Sequence, residues 1–103
     1  MRKGEVWWAK LPLPAGRRPV VLLSRDEAYA VRNTVTAAEV RSTRRGIPIE
    51  LPLGEEDGLP KKCVVNSDMI AMIRKELLDT RISILSREKI EHINAALKFA
   101  LAL

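Results

Sequence analysis

The side chains equipped for chemistry in this sequence are cations and hydroxyls. Arg17 and Arg18 end a loop directly before Pro19 and the apolar run Val20 to Leu23, and Ser42-Thr43-Arg44-Arg45 forms a polar basic stretch after Arg41. The planar fork of arginine suits bidentate contact with phosphates and base edges. Other chemistries fall away. The chain has one histidine, His92, and one cysteine, Cys63, so a two-histidine mechanism and a cysteine-based zinc site both lack their residues. No glycine-rich phosphate loop precedes a helix and no G-x-S-x-G elbow occurs. The acidic run Glu55-Glu56-Asp57 reads as a solvated turn rather than a metal site. Arg, Ser, Thr, Lys and backbone groups can still cleave RNA. The 2′-hydroxyl is an internal nucleophile, so the protein need only orient the strand and stabilise charge at phosphorus. Arg18 with the hydroxyl of Ser42 or Thr43 is the candidate set, needing no metal and no cofactor. In an extended strand Arg41 and Thr43 would share one face, with Ser42 on the other.

Charge placement agrees with a polyanion partner. The formal net charge is +5 over 103 residues. Residues 1–50 carry 10 Lys and Arg against 5 Asp and Glu, whereas residues 51–103 carry 8 of each. The whole excess sits in the first half, mostly as arginine. Hydrophobic residues make up 47%, enough for one domain spanning 1–103 with its own core. No apolar run approaches membrane-spanning length and the start carries no secretory pattern. With a lone cysteine, the cytosol is the expected compartment.

The elements that must hold these groups follow from patterning. Val20 to Leu23 is short, half β-branched and bounded by turn chemistry, so it reads as a strand buried on both faces. Pro19 fits its first position and keeps Arg18 extended at its mouth. Before it, Glu5 to Lys10 is an aromatic-rich strand, with one of Trp7 and Trp8 facing the core and the other free for a dimer contact or a stacked base. Residues 24–33 read as a short helical connection, capped by Ser24 or Asp26 and leaving through Asn33. Thr34–Arg41 and Ile47–Leu53 read as strands, the second at an edge because of its prolines. Together they would form a hairpin with Arg41, Arg44 and Arg45 at its tip. Lys61–Asn66 and 81–85 are further strands, 67–73 fits a strand better than the helical turn it also allows, and 75–78 is a single turn. Ser86 caps a helix whose apolar stripe is Ile90, Ile93, Leu97, Ala100 and Leu101; His92 lies off it. This order implies a small antiparallel barrel with short helical connections and a docked C-terminal helix.

Four blocks carry a family resemblance. Arg2-Lys3-Gly4-Glu5-Val6-Trp7-Trp8-Ala9 resembles the opening R-G-E-V-W-A strand of the MazF/PemK toxins. Arg18-Pro19-Val20-Val21-Leu22-Leu23-Ser24 is similar to their R-P-V-V-V-L-S, Thr43-Arg44-Arg45-Gly46-Ile47-Pro48 to their T-R-R-G-I-P, and Cys63 to Ile70 to their V-V-N-x-D-x-I. The resemblance implies a CcdB/MazF-type, SH3-like barrel working as a homodimer. It implies a type II toxin that cuts single-stranded RNA at specific sequences without metal, leaving a 2′,3′-cyclic phosphate and a 5′-hydroxyl. Its partner would be an acidic, MazE-like antitoxin whose tail fills the RNA channel. Arg18 matches the catalytic arginine of the family. The position of its catalytic threonine, two before the turn threonine, is Arg41 here, which leaves Ser42 or Thr43 to supply the hydroxyl or Arg41 to supply charge. Arg17, Ser24, Arg25, Arg41, Arg44, Arg45, Lys61 and Asn66 are the expected RNA contacts. Two alternatives stand beside this reading: a non-enzymatic, CcdB-like gyrase inhibitor, and a degenerate relative that only binds RNA or antitoxin.

Overall fold

The computed structural model describes residues 1–103. Six strands form one antiparallel sheet, β1 (Glu5–Lys10), β2 (Arg17–Leu22), β3 (Thr34–Arg41), β4 (Glu50–Leu53), β5 (Cys63–Arg74) and β6 (Leu78–Ile84), in the spatial order β4-β5-β3-β2-β1-β6. The sheet curls into a half-barrel. A short helix α1 (Ala28–Val31) links β2 to β3, 3-10 turns occupy Glu55–Asp57 and Lys75–Leu77, and helix α2 (Arg87–Ala100) follows β6.

The apolar run of β2 lies inside the sheet, between β1 and β3, and Val20, Val21 and Leu22 are completely buried. Strand alternation sends these side chains to two cores. Val21 joins Val6, Ala38, Val40, Leu51, Leu53, Val65 and Ile93 inside the half-barrel. Val20 and Leu22 join Ala9, Tyr29, Val35, Ala37, Ile73 and Leu78 on the opposite face. Each such Val or Leu stabilises the fold by roughly 1.5–3 kcal/mol on burial. The strand starts at Arg17, earlier than its apolar run suggests, so Pro19 is its third residue and pairs with Trp8. Pairing with β3 begins only at Val20, one residue beyond the proline.

The order β4-β5-β3 corrects the expected hairpin. β3 pairs with β2 and β5, and β4 pairs only with β5. The reason is the length of β5: polar Asn66-Ser67-Asp68 hides one continuous strand of 12 residues, long enough to lie between β3 and β4 and satisfy both. Its pairing passes from Ala38↔Ile70 to Val40↔Val65, so β5 has three more residues than β3 needs between those pairs, and the ladder bends there. β4 is an edge strand as expected but is confined to Glu50–Leu53, with Pro48 outside it and Pro52 within.

Two local expectations change. Neither Ser24 nor Asp26 caps α1; Glu27 precedes it without a side-chain cap. The Ser24 hydroxyl instead accepts from Thr36 N at 2.8 Å and Asp26 from Lys3 N at 2.9 Å, so both tie distant backbone. Asp57 is not solvated. It is 6% exposed, accepts from Gly54 N at 3.0 Å and takes the Lys89 ammonium at 2.7 and 2.8 Å. This pair fastens α2 to the sheet, while Ser86 Oγ accepts from Lys89 N at 3.2 Å. Ile93 and Ala96 are buried and Ile90 and Leu97 half-buried, whereas Leu101, at the end of the stripe, is exposed. The helix also rests on Gly4. That glycine has φ +90°, which strains any other residue, and a Cβ there would lie 2.5 Å from Ile90 Cδ1 and so have to displace that side chain.

Candidate active site

Because β2 and β3 run antiparallel with Val20 opposite Glu39, the start of β2 lies beside the end of β3. Arg18 and Arg41 are thereby brought to one rim. They border a cavity of about 230 Å³, together with Trp8 of β1, Arg17 and Pro19 of β2, Ser42 just past β3, and Lys61 before β5. Its floor is the end of the half-barrel core, Val40, Leu59 and Cys63. Burial pushes the Cys63 thiol up, in keeping with its reading as a small buried hydrophobe.

Between the arginines stands Glu39, which the sequence reading does not single out. Its Oε1 is 3.7 Å from Arg18 Nε and 3.4 Å from Arg41 Nη1, and the three side chains are 25, 37 and 17% exposed for Arg18, Arg41 and Glu39. One carboxylate cannot neutralise two guanidinia, so the rim retains positive charge beside an apolar floor, where a phosphate interacts more strongly than in bulk water. Arg17 is held otherwise. Its Nε and Nη2 donate to Asp79 at 3.0 and 3.1 Å, and its guanidinium carbon lies 4.3 Å from the Trp8 ring centroid. The Asp79 hydrogen bond holds Arg17 above its ordinary pKa, and the same bond holds Asp79 below its own. Trp7 packs on the opposite core and donates Nε1–H to Glu5 at 2.9 Å, so Trp8 is the tryptophan free for contact.

Of the expected site residues, Arg17, Arg18, Arg41, Ser42 and Lys61 come together. Thr43 does not line the cavity; the chain leaves β3 after Arg41 and alternation stops there, leaving Thr43 exposed. Arg44 belongs to an adjoining groove with Lys62, Glu55 and Glu56, where three cations exceed two carboxylates, and Lys61 lines both. Arg45 and Gly46 donate backbone N–H to Glu50 Oε1, each at 2.9 Å, which shapes the basic turn. Arg25 is exposed at the far end of β2. Ser24 is occupied with Thr36 N and with the Tyr29 hydroxyl, which donates to its carbonyl at 2.9 Å. Asn66 is buried where β5 bends and accepts from Asp68 N at 2.9 Å. Trp8 is the contact tryptophan that the sequence left open between two; Lys62 and Glu39, which pairs with Arg18 and Arg41 without lining their cavity, are the additions. Only the strand register could have pointed to Glu39, and a sequence does not display register. No three His, Cys, Asp or Glu side chains converge as metal ligands.

Residues 2–101 match the family described as PemK-like, MazF-like toxins of type II toxin-antitoxin systems. The chain belongs to this family. Among its MazF-type relatives, the probable endoribonuclease MazF2 of Mycobacterium tuberculosis is 39% identical over 87 residues, covering 84% of this chain and 83% of that protein. The solved M. tuberculosis toxin MazF-mt6 superposes with a TM-score of 0.89 at 27% identity, covering 96% of this chain and 97% of that one. An endoribonuclease from a mycobacterial species, solved in complex with its cognate antitoxin, gives a TM-score of 0.88 at 28% identity, covering 100% and 96%. The half-barrel with a C-terminal helix is therefore the MazF fold, and the membership sets aside the gyrase-inhibitor alternative. No helix is long and apolar enough to cross a membrane.

Proposed function

We propose that this MazF-type endoribonuclease toxin cleaves single-stranded RNA at specific sequences by transesterification within the RNA itself. The 2′-oxygen forms its bond to phosphorus as the bond from phosphorus to the 5′-oxygen breaks. The 2′-hydroxyl proton passes to water and the departing 5′-oxygen takes one back, so the products are a 2′,3′-cyclic phosphate and a 5′-hydroxyl. No metal or cofactor enters this balance. Arg18 holds a non-bridging phosphate oxygen and offsets the charge that builds at phosphorus; a group of this kind is worth on the order of 10²–10³ in rate. Arg41 supplies a second positive charge where relatives are expected to carry threonine, and the Ser42 hydroxyl assists from the same rim. Thr43, outside the cavity, has no part in the step. Lys61 continues the phosphate path toward Arg44 and Lys62 in the adjoining groove.

The observation that carries this reading is the meeting of Arg18, Arg41, Ser42 and Lys61 around one cavity. The excess of cations in residues 1–50 supports RNA as the substrate and an acidic antitoxin tail as the competing ligand; the solved relative bound to its cognate antitoxin supports the second. The protein is further read as a homodimer acting in the cytoplasm.

The test is incubation with mixed single-stranded RNA in excess EDTA, with sequencing of the new 5′ ends. Discrete cuts bearing 5′-hydroxyls are expected. Arg41 in the threonine position favours one other reading, a binder without cleavage. RNA retained intact by a protein that still binds it would establish that reading instead.

A further inference from the structure

Arg17 differs from the other cations around the cavity in having a carboxylate of its own. Its Nε–Nη2 edge is bound to Asp79 at 3.0 and 3.1 Å, and Asp79 offsets its charge, which weakens its pull on a phosphate even though the Nη1–Nη2 end keeps its donors. The same bond fixes its plane. One side lies over Trp8, 4.3 Å from the ring centroid; the side chain is 50% exposed, while its partner Asp79 is 20% exposed. Asp79 comes from β6 and Trp8 from β1, so two strands fix the group before any ligand arrives. The adjacent residue is Arg18, and Arg17, Arg18 and Trp8 border the same cavity. Flat heterocycles stack on guanidinium planes and on aromatic rings, and single-stranded RNA offers such surfaces unpaired.

We infer that Arg17, backed by Trp8 and pinned by Asp79, is a nucleobase-stacking subsite that takes the base of a nucleotide next to the phosphate held at Arg18. This gives the expected RNA contact of Arg17 to a base, and it rests on the RNA-cleaving reading above. Asp79 then acts as a positioning residue, since it sets the plane without touching the base.

Binding is measured with strands that carry no 2′-hydroxyl, so that cleavage plays no part: short 2′-O-methyl oligonucleotides of each base, and an abasic phosphodiester strand of the same length. The wild-type chain is expected to prefer at least one base-bearing strand over the abasic strand by about tenfold, the size of one stacking contact. Arg17→Lys keeps the charge and loses the plane, so it should lose that preference while holding the abasic strand as before. Asp79→Asn, which leaves Arg17 in place but unpinned, should weaken the preference in the same direction. A preference that survives Arg17→Lys overturns the inference. So does an Arg17→Ala variant that loses affinity for the abasic strand and base-bearing strands equally, with a shallower salt dependence, since that is the signature of a phosphate contact. Binding by the wild-type chain with either result leaves the RNA reading standing. A wild-type chain that binds none of the strands overturns both.

Discussion

Two ion clusters in this molecule use the same chemical groups in opposite proportions. At Lys89 a single ammonium meets two carboxylates, Asp57 at 2.7 Å and Glu56 at 3.3 Å, and Asp57 is buried and also binds Gly54 N. At Glu39 a single carboxylate meets two guanidinia, Arg18 at 3.7 Å and Arg41 at 3.4 Å. The first cluster has short contacts and no positive charge left over, and it fastens a helix to a sheet. The second has longer contacts and too few negative charges, and it borders a cavity. In the first cluster the buried carboxylate, Asp57, has the ammonium to itself in the interior and the surplus one, Glu56, lies in solvent, because an unmatched buried charge is costly. A site meant to receive a phosphate needs the mismatch.

The comparison is broken most sharply at Arg18. Arg18→Ala should lower the cleavage rate on the order of 10²–10³-fold, with a thermal midpoint close to that of the wild-type chain. A rate that stays within a few-fold would remove Arg18 from the reaction. The converse change is Asp57→Ala, which leaves the Lys89 ammonium with Glu56 alone and frees Gly54 N. It should cost about 3 kcal/mol in urea unfolding and leave the turnover of the folded fraction unchanged. Titration adds a sign to this. Burial alone would lower Lys89, but its hydrogen bonds to Asp57 and Glu56 outweigh that and hold its pKa above the ordinary 10.5. Its contribution is therefore complete below that value and is lost as pH rises through the folded pKa; unfolding measured between neutral pH and pH 11 should show a decline only at the alkaline end. The mildest change sharpens the second cluster. Glu39→Gln removes the one anion between Arg18 and Arg41, so RNA should bind several-fold more tightly. Turnover should fall about tenfold as the two guanidinia lose their shared anchor. Tighter binding with unchanged turnover would mean that Glu39 only tempers charge.

The parts legible in the sequence were those that short-range rules govern. Val20 to Leu23 announces a central strand by composition alone, though β2 ends at Leu22, Ser86 announces the start of α2, and Pro19 fixes Arg18 at a strand mouth. The hairpin of β3 and β4 failed because adjacency in sequence favours local pairing, while the actual partner of both strands is β5. The polar residues Asn66, Ser67 and Asp68 disguise β5 as two pieces; they sit where it bends, so they need not follow the alternation of a regular ladder. The site divides the same way. Arg18 is readable from its neighbours, whereas Glu39 and the Trp8–Arg17–Asp79 stack exist only across strands, and pairing register sets them. Asp57 was misread for a related reason: its partner Lys89 is 32 residues away.

The long strand has one further effect. β5 contributes Val65 and Cys63 to the core inside the half-barrel and Ile73 to the core on the other face. Neither core can melt by itself without pulling on backbone that the other one needs, so the two behave as a single cooperative unit. The loop at residues 42–46 hangs outside that unit, tied back mainly through Glu50. It can breathe, or accumulate substitutions, without loosening either core.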